Sequence, residues 1–377
     1  MTLSYPIDTW FPATSPVGDR LRRLRTRAGL TQEQLSARAG IAPRTIQKLE
    51  AGQVAVPRVS TLARLAEALP VDDGPAPAQL PRAGAVFAGR AAEQDLLDCW
   101  IGAPDGAPVV VVGPAGAGKS ALVLRWAHTA RHDFADGQLY ADLHGFDPHG
   151  PPLPPTAVLA GFLGALGVPP EAVPPGEEER SARFRSLVAD RRLLVVLDNA
   201  AGARQIRPLL PGSAACAVVV SSRHRLDDLV VHEGARRLTL GGLSRAEGRE
   251  VLARLAGPER AREAEHVLDA CGGLPFAISR AGAHLSGGPR WTTSMGAALD
   301  GSWRALSGPA AALLARLARR PEPVVEVRSP DGPERAALDE LCALHLIAET
   351  APDRYTFHPF VREHARSAGE MRGADVF

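Results

Sequence analysis

The apolar positions of residues 17–69, namely Leu21, Leu24, Leu30, Leu35, Ile41, Ile46, Leu49, Leu62, Leu65 and Leu69, fall at the spacing of short amphipathic helices and are punctuated by Gly29, Gly40 and Gly52. That pattern predicts four or five helices in a compact all-α unit. Further along, the period changes. Residues 108–112, 139–143, 193–197 and 217–220 are apolar runs, the mark of short strands covered on both faces of a parallel sheet. Stretches over 119–131, 156–166 and 177–189 supply the crossover helices. Helical periodicity resumes over 244–255, 258–271, 274–285, 302–319, 334–348 and 360–368. The expected fold class is multidomain α and α/β: an all-α head, a parallel-sheet unit and a helical C-terminal part. Pro70, Pro75, Pro77 and Pro81 make residues 70–83 a non-helical spacer between head and body.

Within the head, Thr31-Gln32-Glu33-Gln34 is a capping box, Gly40 suits a left-handed helix end, and Pro43 suits the first turn of the next helix. With Ile46 and Leu49 facing inward, Arg44, Thr45, Gln47 and Lys48 are left on the outer face. These side chains suit base edges in a major groove: Arg or Lys for guanine, Gln for adenine, Thr for a thymine methyl. Charge sharpens the reading. Residues 17–69 carry nine Arg and one Lys against Asp19, Glu33, Glu50 and Glu67, a net of +6, whereas the whole 377-residue chain is +1. The basic character is local, as in a small duplex-DNA-binding head on a near-neutral body. The bland counterpart is a solvated face on a bundle that binds only protein.

Only two of the 43 basic residues are lysines, Lys48 and Lys119. In a chain that otherwise uses Arg, a retained Lys marks a place for a compact, flexible ammonium. Lys119 belongs to Gly113-Pro114-Ala115-Gly116-Ala117-Gly118-Lys119-Ser120, followed by Ala121, an instance of G-x-x-x-x-G-K-[ST] between a predicted strand and a predicted helix. Glycines there let backbone N–H groups converge on phosphate oxygens, Lys119 reaches the terminal phosphates, and the Ser120 hydroxyl can hold Mg²⁺. Asp198, at the carboxyl end of the 193–197 run, is the second candidate Mg²⁺ ligand. ATP or ADP with Mg²⁺ is the expected cofactor set, and Lys119 and Asp198 are the candidate catalytic residues.

Two family resemblances rest on these residues. Leu30-Thr-Gln-Glu-Gln-Leu-Ser-Ala-Arg-Ala-Gly-Ile41 followed by Thr45-Ile-Gln-Lys-Leu-Glu-Ala-Gly52 resembles the lambda-repressor/Cro-like (XRE) helix-turn-helix family. The resemblance covers residues 17–69 and implies that Gln32 touches the DNA backbone while the start of the third helix reads bases. Ala42 stands where a Ser or Thr cap is usual. Phe87-Ala-Gly-Arg90, the 113–120 loop, residues 193–199, Ser221-Ser-Arg223, Gly273-Leu-Pro-Phe-Ala277 and Phe357-His358 occur in the order of the NB-ARC branch of the STAND NTPases. Asp136-Gly-Gln-Leu-Tyr140 and Ile206-Arg-Pro-Leu-Leu-Pro-Gly212 look like its actinobacterial antibiotic-pathway regulators.

The second resemblance spans residues 84–367. It implies that Arg223 senses the γ-phosphate, that Pro275 packs near adenine, and that His358, in a small winged helix, touches the β-phosphate of bound ADP. The implied division is an N-terminal extension (1–16), helix-turn-helix domain (17–69), Pro-rich linker (70–83), nucleotide-binding domain (84–242), helical domain (243–299) and winged-helix domain (300–370). Two positions depart from the family. Asn199 replaces the second acid that polarises water in hydrolytic relatives, and losing a general base costs on the order of 10²–10⁴-fold, so the chain is expected to be a slow ATPase at most. Pro359 replaces an Asp that helps hold the closed state.

The functional expectation is a DNA-binding transcriptional regulator whose ATP or ADP state controls self-association, with a homo-oligomer in the ATP state. The alternatives are a turnover ATPase localised to DNA and a nucleotide-holding scaffold that modulates longer relatives. The 34-residue periodicity of a repeat sensor is absent from the sequence, so either a separate sensor protein supplies the signal or the chain is a cut-down regulator. Cys99, Cys216, Cys271 and Cys342 form no C-x-x-C pair and are expected to be buried reduced thiols. With no apolar run near 18 residues and no targeting pattern, the expected place is the cytoplasm, at the nucleoid, without a membrane partner. Tyr5, Trp10 and Phe11 are candidates for docking the extension.

Overall fold

The computed structural model describes residues 17–28, 30–54, 57–69, 76–147, 150–287, 293–322, 324–327 and 330–374. The extension 1–16, the first half of the spacer and the docking candidates Tyr5, Trp10 and Phe11 lie outside them.

Among the described residues the head is four helices, α1 (Val17–Arg27), α2 (Gln32–Ala39), α3 (Pro43–Glu50) and α4 (Val59–Ala68). It encloses a core of its own around Leu21, Leu35, Ile46, Leu49 and Leu65. Local chemistry sets its helix ends. The Gln34 N–H donates to Thr31 Oγ1 at 3.1 Å and the Thr31 N–H donates to Gln34 Oε1 at 2.8 Å, closing the capping box. Gly40 ends α2 at φ 60°. Ala42 makes no side-chain cap for α3, which starts on Pro43. Glu50 joins α1, α2 and α3. Its carboxylate, 1% exposed, accepts Arg25 Nε at 2.6 Å, Arg25 Nη2 at 3.0 Å and Gln32 Nε2 at 2.7 Å.

The body is built on α5 (Ala91–Ile101), β1 (Val109–Val112), α6 (Lys119–Ala130), β2 (Gln138–Asp142), α7 (Pro155–Ala165), α8 (Glu177–Val188), β3 (Leu194–Ala200), α9 (Ala203–Ile206), β4 (Ala217–Ser222), α10 (Asp227–Glu233) and β5 (Arg236–Thr239). All strand pairs are parallel, in the order β2-β3-β4-β1-β5. Side chains alternate between two cores. Val109, Val111, Leu194, Val196 and Val219 pack with α6, whereas Val110, Val112, Val195, Leu197 and Val218 pack with α7 and α8. Such a sheet presents the ends of β1, β3 and β4 as a crevice at its carboxyl edge.

Four expectations need correction. A fifth strand, β5, lacks the apolar run of its neighbours because Arg236 and Arg237 occupy an edge that pairs only with β1. The spacer is not free through residue 83: Gln138 N–H donates to Pro77 O at 2.6 Å, Gln79 N–H donates to Gln138 O at 3.1 Å, and Leu80 packs on the main core. The open edge of β2 offers that segment unpaired backbone groups. The helices expected over 258–271, 302–319 and 334–348 are each interrupted, as described below. Cys99 is exposed while Cys216 and Cys271 are buried.

The C-terminal part holds α11 (Arg245–Ala256), α12 (Pro258–Glu263), α13 (His266–Ala270), α14 (Pro275–Leu285), α15 (Thr293–Arg304), α16 (Gly308–Ala318), β6 (Val324–Glu326), α17 (Gly332–Ala343), β7 (Ile347–Ala351), β8 (Arg354–Phe357) and α18 (Pro359–Ala374). The first interruption is at Ala264, the C-cap of α12. The second is at Ser307, which caps α16 and donates its N–H and its hydroxyl to Glu340, each at 2.6 Å. In the third, α17 stops at Ala343 and the chain turns through His345 at φ 53° into β7. Strands β6, β8 and β7 form an antiparallel sheet in that order. Among the described residues no helix is long and apolar enough to cross a membrane.

Candidate nucleotide site and nucleic-acid interface

Strand β1 ends at Val112 and the glycine loop carries the chain into α6. Gly113 has φ 149°, and a Cβ there would collide with the Leu240 carbonyl oxygen; Gly118 has φ 87° at the start of α6. Both positions exclude an ordinary side chain. Lys119 Nζ donates to the carbonyls of Gly113 at 2.9 Å and Pro114 at 2.8 Å. Burial, with the Arg223 charge nearby, pushes its pKa down to about 7. An ammonium held at the mouth of a loop of inward-turned backbone is suited to a polyanion.

Asp198 is placed by the end of β3 and saturated by neighbours. Its Oδ1 accepts the Ser120 hydroxyl at 2.8 Å, the Asn199 N–H at 3.1 Å and the Ser221 hydroxyl; its Oδ2 accepts Tyr140 OH at 3.3 Å. Burial and the neighbouring carboxylates hold the Tyr140 phenol above its usual range. Ser120 and Asp198 are hard oxygen donors at a phosphate loop, a set that fits Mg²⁺ completing its shell with phosphate oxygens and water.

These groups line one cavity of about 440 Å³. It receives Ala115, Gly116, Ala117, Gly118, Lys119, Ser120, Ala121, Asp198, Arg223 and Pro275 from the expected set. Gly113 and Pro114 stand behind it, holding Lys119. Arg223 sits with its guanidinium 5.2 Å from the Phe146 ring centroid, a cation–π contact, and donates to Ser302 Oγ of α15 at 3.1 Å. Burial keeps its pKa below the usual arginine value.

His358 does not line the cavity. Its Nε2 lies 3.2 Å from the Gly272 carbonyl oxygen and its ring stacks on Phe360. Gly272 lies three residues before Pro275, which lines the cavity. Burial outweighs the contacts with Gly272 and Cys271, and its pKa lies below the ordinary histidine value.

Periodicity left other residues unassigned. Asp142, Phe276 and Ser279 line the cavity, as does Arg90, which came in only through the family phrase. Arg90 adopts φ 64°, its N–H donates to Glu247 Oε1 at 3.0 Å, and its guanidinium donates to Gly241 O at 2.5 Å and Glu93 at 2.7 Å. It pins the entry of α5 to the start of the C-terminal part. The signal for Asp142 was an acid at a strand end, the same signal that identified Asp198.

In the head, Arg44, Gln47 and Lys48 are exposed on α3 and Thr45 is half-buried beside them. Gln32 commits one amide hydrogen to Glu50. Arg44→Ala or Gln47→Ala is expected to cost about 1–3 kcal/mol on the preferred duplex and to relax specificity at one base pair, measured by titrating matched and mismatched duplexes. Equal loss on every duplex would show that charge alone is read.

Residues 16–78 match the family model for a helix-turn-helix domain. The chain is 36% identical over 342 residues to the Regulatory protein AfsR of Streptomyces coelicolor, covering 79% of this chain and 34% of that protein. It is 35% identical over 413 residues to the Regulatory protein AfsR of Streptomyces griseus, covering 96% of this chain and 42% of that one. The chain thus spans well under half the length of these relatives. The Walker-type ATPase paby2304 of Pyrococcus abyssi superposes with a TM-score of 0.53 at 14% identity, covering 76% of this chain and 98% of that one, which shows a shared fold.

Proposed function

We propose that this chain, a helix-turn-helix head joined to a P-loop NTPase body, is a DNA-binding transcriptional regulator whose bound nucleotide controls its self-association. The observation that carries the reading is Arg223. It lines the same cavity as Lys119, Ser120 and Asp198, and it is hydrogen-bonded to Ser302 in the C-terminal helices. Lys119 and the loop N–H groups would hold the phosphates of ATP or ADP, and Ser120 and Asp198 would hold Mg²⁺. A terminal phosphate draws Arg223 from Ser302, so nucleotide identity biases how the C-terminal helices sit on the sheet. A charge-assisted hydrogen bond contributes about 1.5–3 kcal/mol, enough to shift a two-state population by about 10–100-fold. The names of the two relatives, both regulatory proteins, agree with this role.

One short head binds DNA weakly, and bringing two heads together raises avidity on half-sites about 34 Å apart or a multiple of it. The test is DNA affinity and solution mass with ADP, with a non-hydrolysable ATP analogue, and with neither. The tighter-binding state is expected to be larger than a monomer. Replacing His358 by Ala, which frees the Gly272 turn, is expected to shift the population toward that state. Identical mass and identical DNA binding in all conditions would remove support for the switch.

A further inference from the structure

The carboxylate that Asn199 lacks stands on the neighbouring strand. Strands β2 and β3 are parallel and in register, with Tyr140 beside Val196 and Asp142 beside Asp198. Alternation along a strand places Tyr140 and Asp142 on one face. Tyr140 OH reaches Asp198 from that face, and Asp142 lines the cavity together with Lys119, Asp198, Asn199 and Arg223.

The two carboxylates are differently engaged. Asp198 has both oxygens taken up by the Ser120, Ser221 and Tyr140 hydroxyls and the Asn199 N–H, the setting of a fixed ligand. Asp142 accepts only the His144 N–H, through Oδ1 at 2.9 Å, so among the described residues its Oδ2 has no hydrogen bond. Asn199 lines the cavity at φ 56° with an amide that accepts no proton.

We infer that Asp142 is the catalytic residue that orients the attacking water and takes its proton during ATP hydrolysis at this site. The inference rests on the reading of the cavity as an ATP site. The water oxygen bonds to the γ-phosphorus and the bond from that phosphorus to the β–γ bridging oxygen breaks. The electron pair leaves with ADP, and one water proton passes to the Asp142 carboxylate. A general base contributes on the order of 10²–10⁴-fold. The phosphates and the metal stay with Lys119, Ser120 and Asp198, so Asp142 acts in the chemical step rather than in affinity.

The experiment uses the full chain and its Asp142→Asn, Asp142→Glu and Asn199→Asp variants. Calorimetric titration with ADP and Mg²⁺ reports binding, melting temperature reports folding, and phosphate release from ATP reports turnover. Asparagine keeps an oxygen for the His144 N–H, so D142N is expected to melt with the wild type and to bind ADP within about three-fold of it. Its hydrolysis is expected to fall by about 10²–10⁴-fold, with D142E at least ten-fold faster than D142N. The inference is overturned by a wild type that binds nucleotide without hydrolysing it, or by D142N hydrolysing at the wild-type rate. It is also overturned by N199D raising the rate while D142N leaves it unchanged, and by D142N losing ADP affinity, which would make Asp142 a ligand. A wild type that binds no nucleotide would instead sink the reading of the cavity itself.

Discussion

Lys119→Ala is expected to lower affinity for ADP and ATP by at least about 100-fold, because a terminal phosphate loses two or more charge-assisted hydrogen bonds, about 3 kcal/mol or more together. The fold should survive. Burial already disfavours the ammonium and brings its pKa to about 7, so its removal relieves a desolvation cost that offsets the donor lost to the carbonyls of Gly113 and Pro114. An unchanged or raised melting temperature beside lost calorimetric binding is the expected pair of results. Lys119→Arg should also weaken binding, since a planar fork does not replace a compact ammonium in a narrow loop. Undiminished nucleotide affinity in a folded Lys119→Ala chain would end the assignment of residues 113–120.

Removing the carboxylate of Glu50 is expected to be the most destabilising single change in the head. Glu50→Ala leaves Arg25 Nε and Nη2 without their partner while Nη1 keeps the Leu30 carbonyl, and because Arg25 is partly exposed the cost falls toward the lower end of the about 3–5 kcal/mol for breaking a buried pair from one side. The loss should appear as faster hydrogen exchange in α1 and α3 of the full chain, with the amides of the sheet unaffected. Wild-type exchange rates in both helices would show the pair to be dispensable. Acidity tests the same contact. Burial alone would raise the Glu50 pKa, but hydrogen bonds from Arg25 and Gln32 and the charges of Arg25 and Arg22 outweigh it and hold the carboxyl below its ordinary value of 4.5. The native head therefore binds this proton less readily than the unfolded chain. The stabilisation is complete above pH 4.5 and is lost as pH falls through the lower native value.

Long-range placement revises the expectations drawn from short-range pattern. Arg236 and Arg237 hide β5 because an edge strand needs no apolar run. Pro77–Gln79, too short and proline-rich to show periodicity, dock on β2 through backbone groups that the identity of their side chains does not reveal. His358, to which the resemblance gave a phosphate contact, lies against the Gly272 carbonyl, more than eighty positions earlier in the chain.

The sequence by itself determined whatever contiguous residues specify: the capping box of Thr31 and Gln34, the left-handed Gly40, the glycine loop and Lys119, four of the parallel strands, and the outer face carrying Arg44, Gln47 and Lys48. Each depends on a turn of backbone or on side-chain alternation within one element, and local sterics and hydrogen bonds decide both. Tertiary structure alone decided which strand ends meet. Asp198 was legible as an acid after an apolar run, Asp142 lay within the 139–143 run, and strand order and register set them side by side at one cavity. The same holds for Arg223 against Ser302 and for Arg25 against Glu50. Such partners are chosen by packing two faces of a sheet or three helices around a core, a choice that no single stretch of chain encodes.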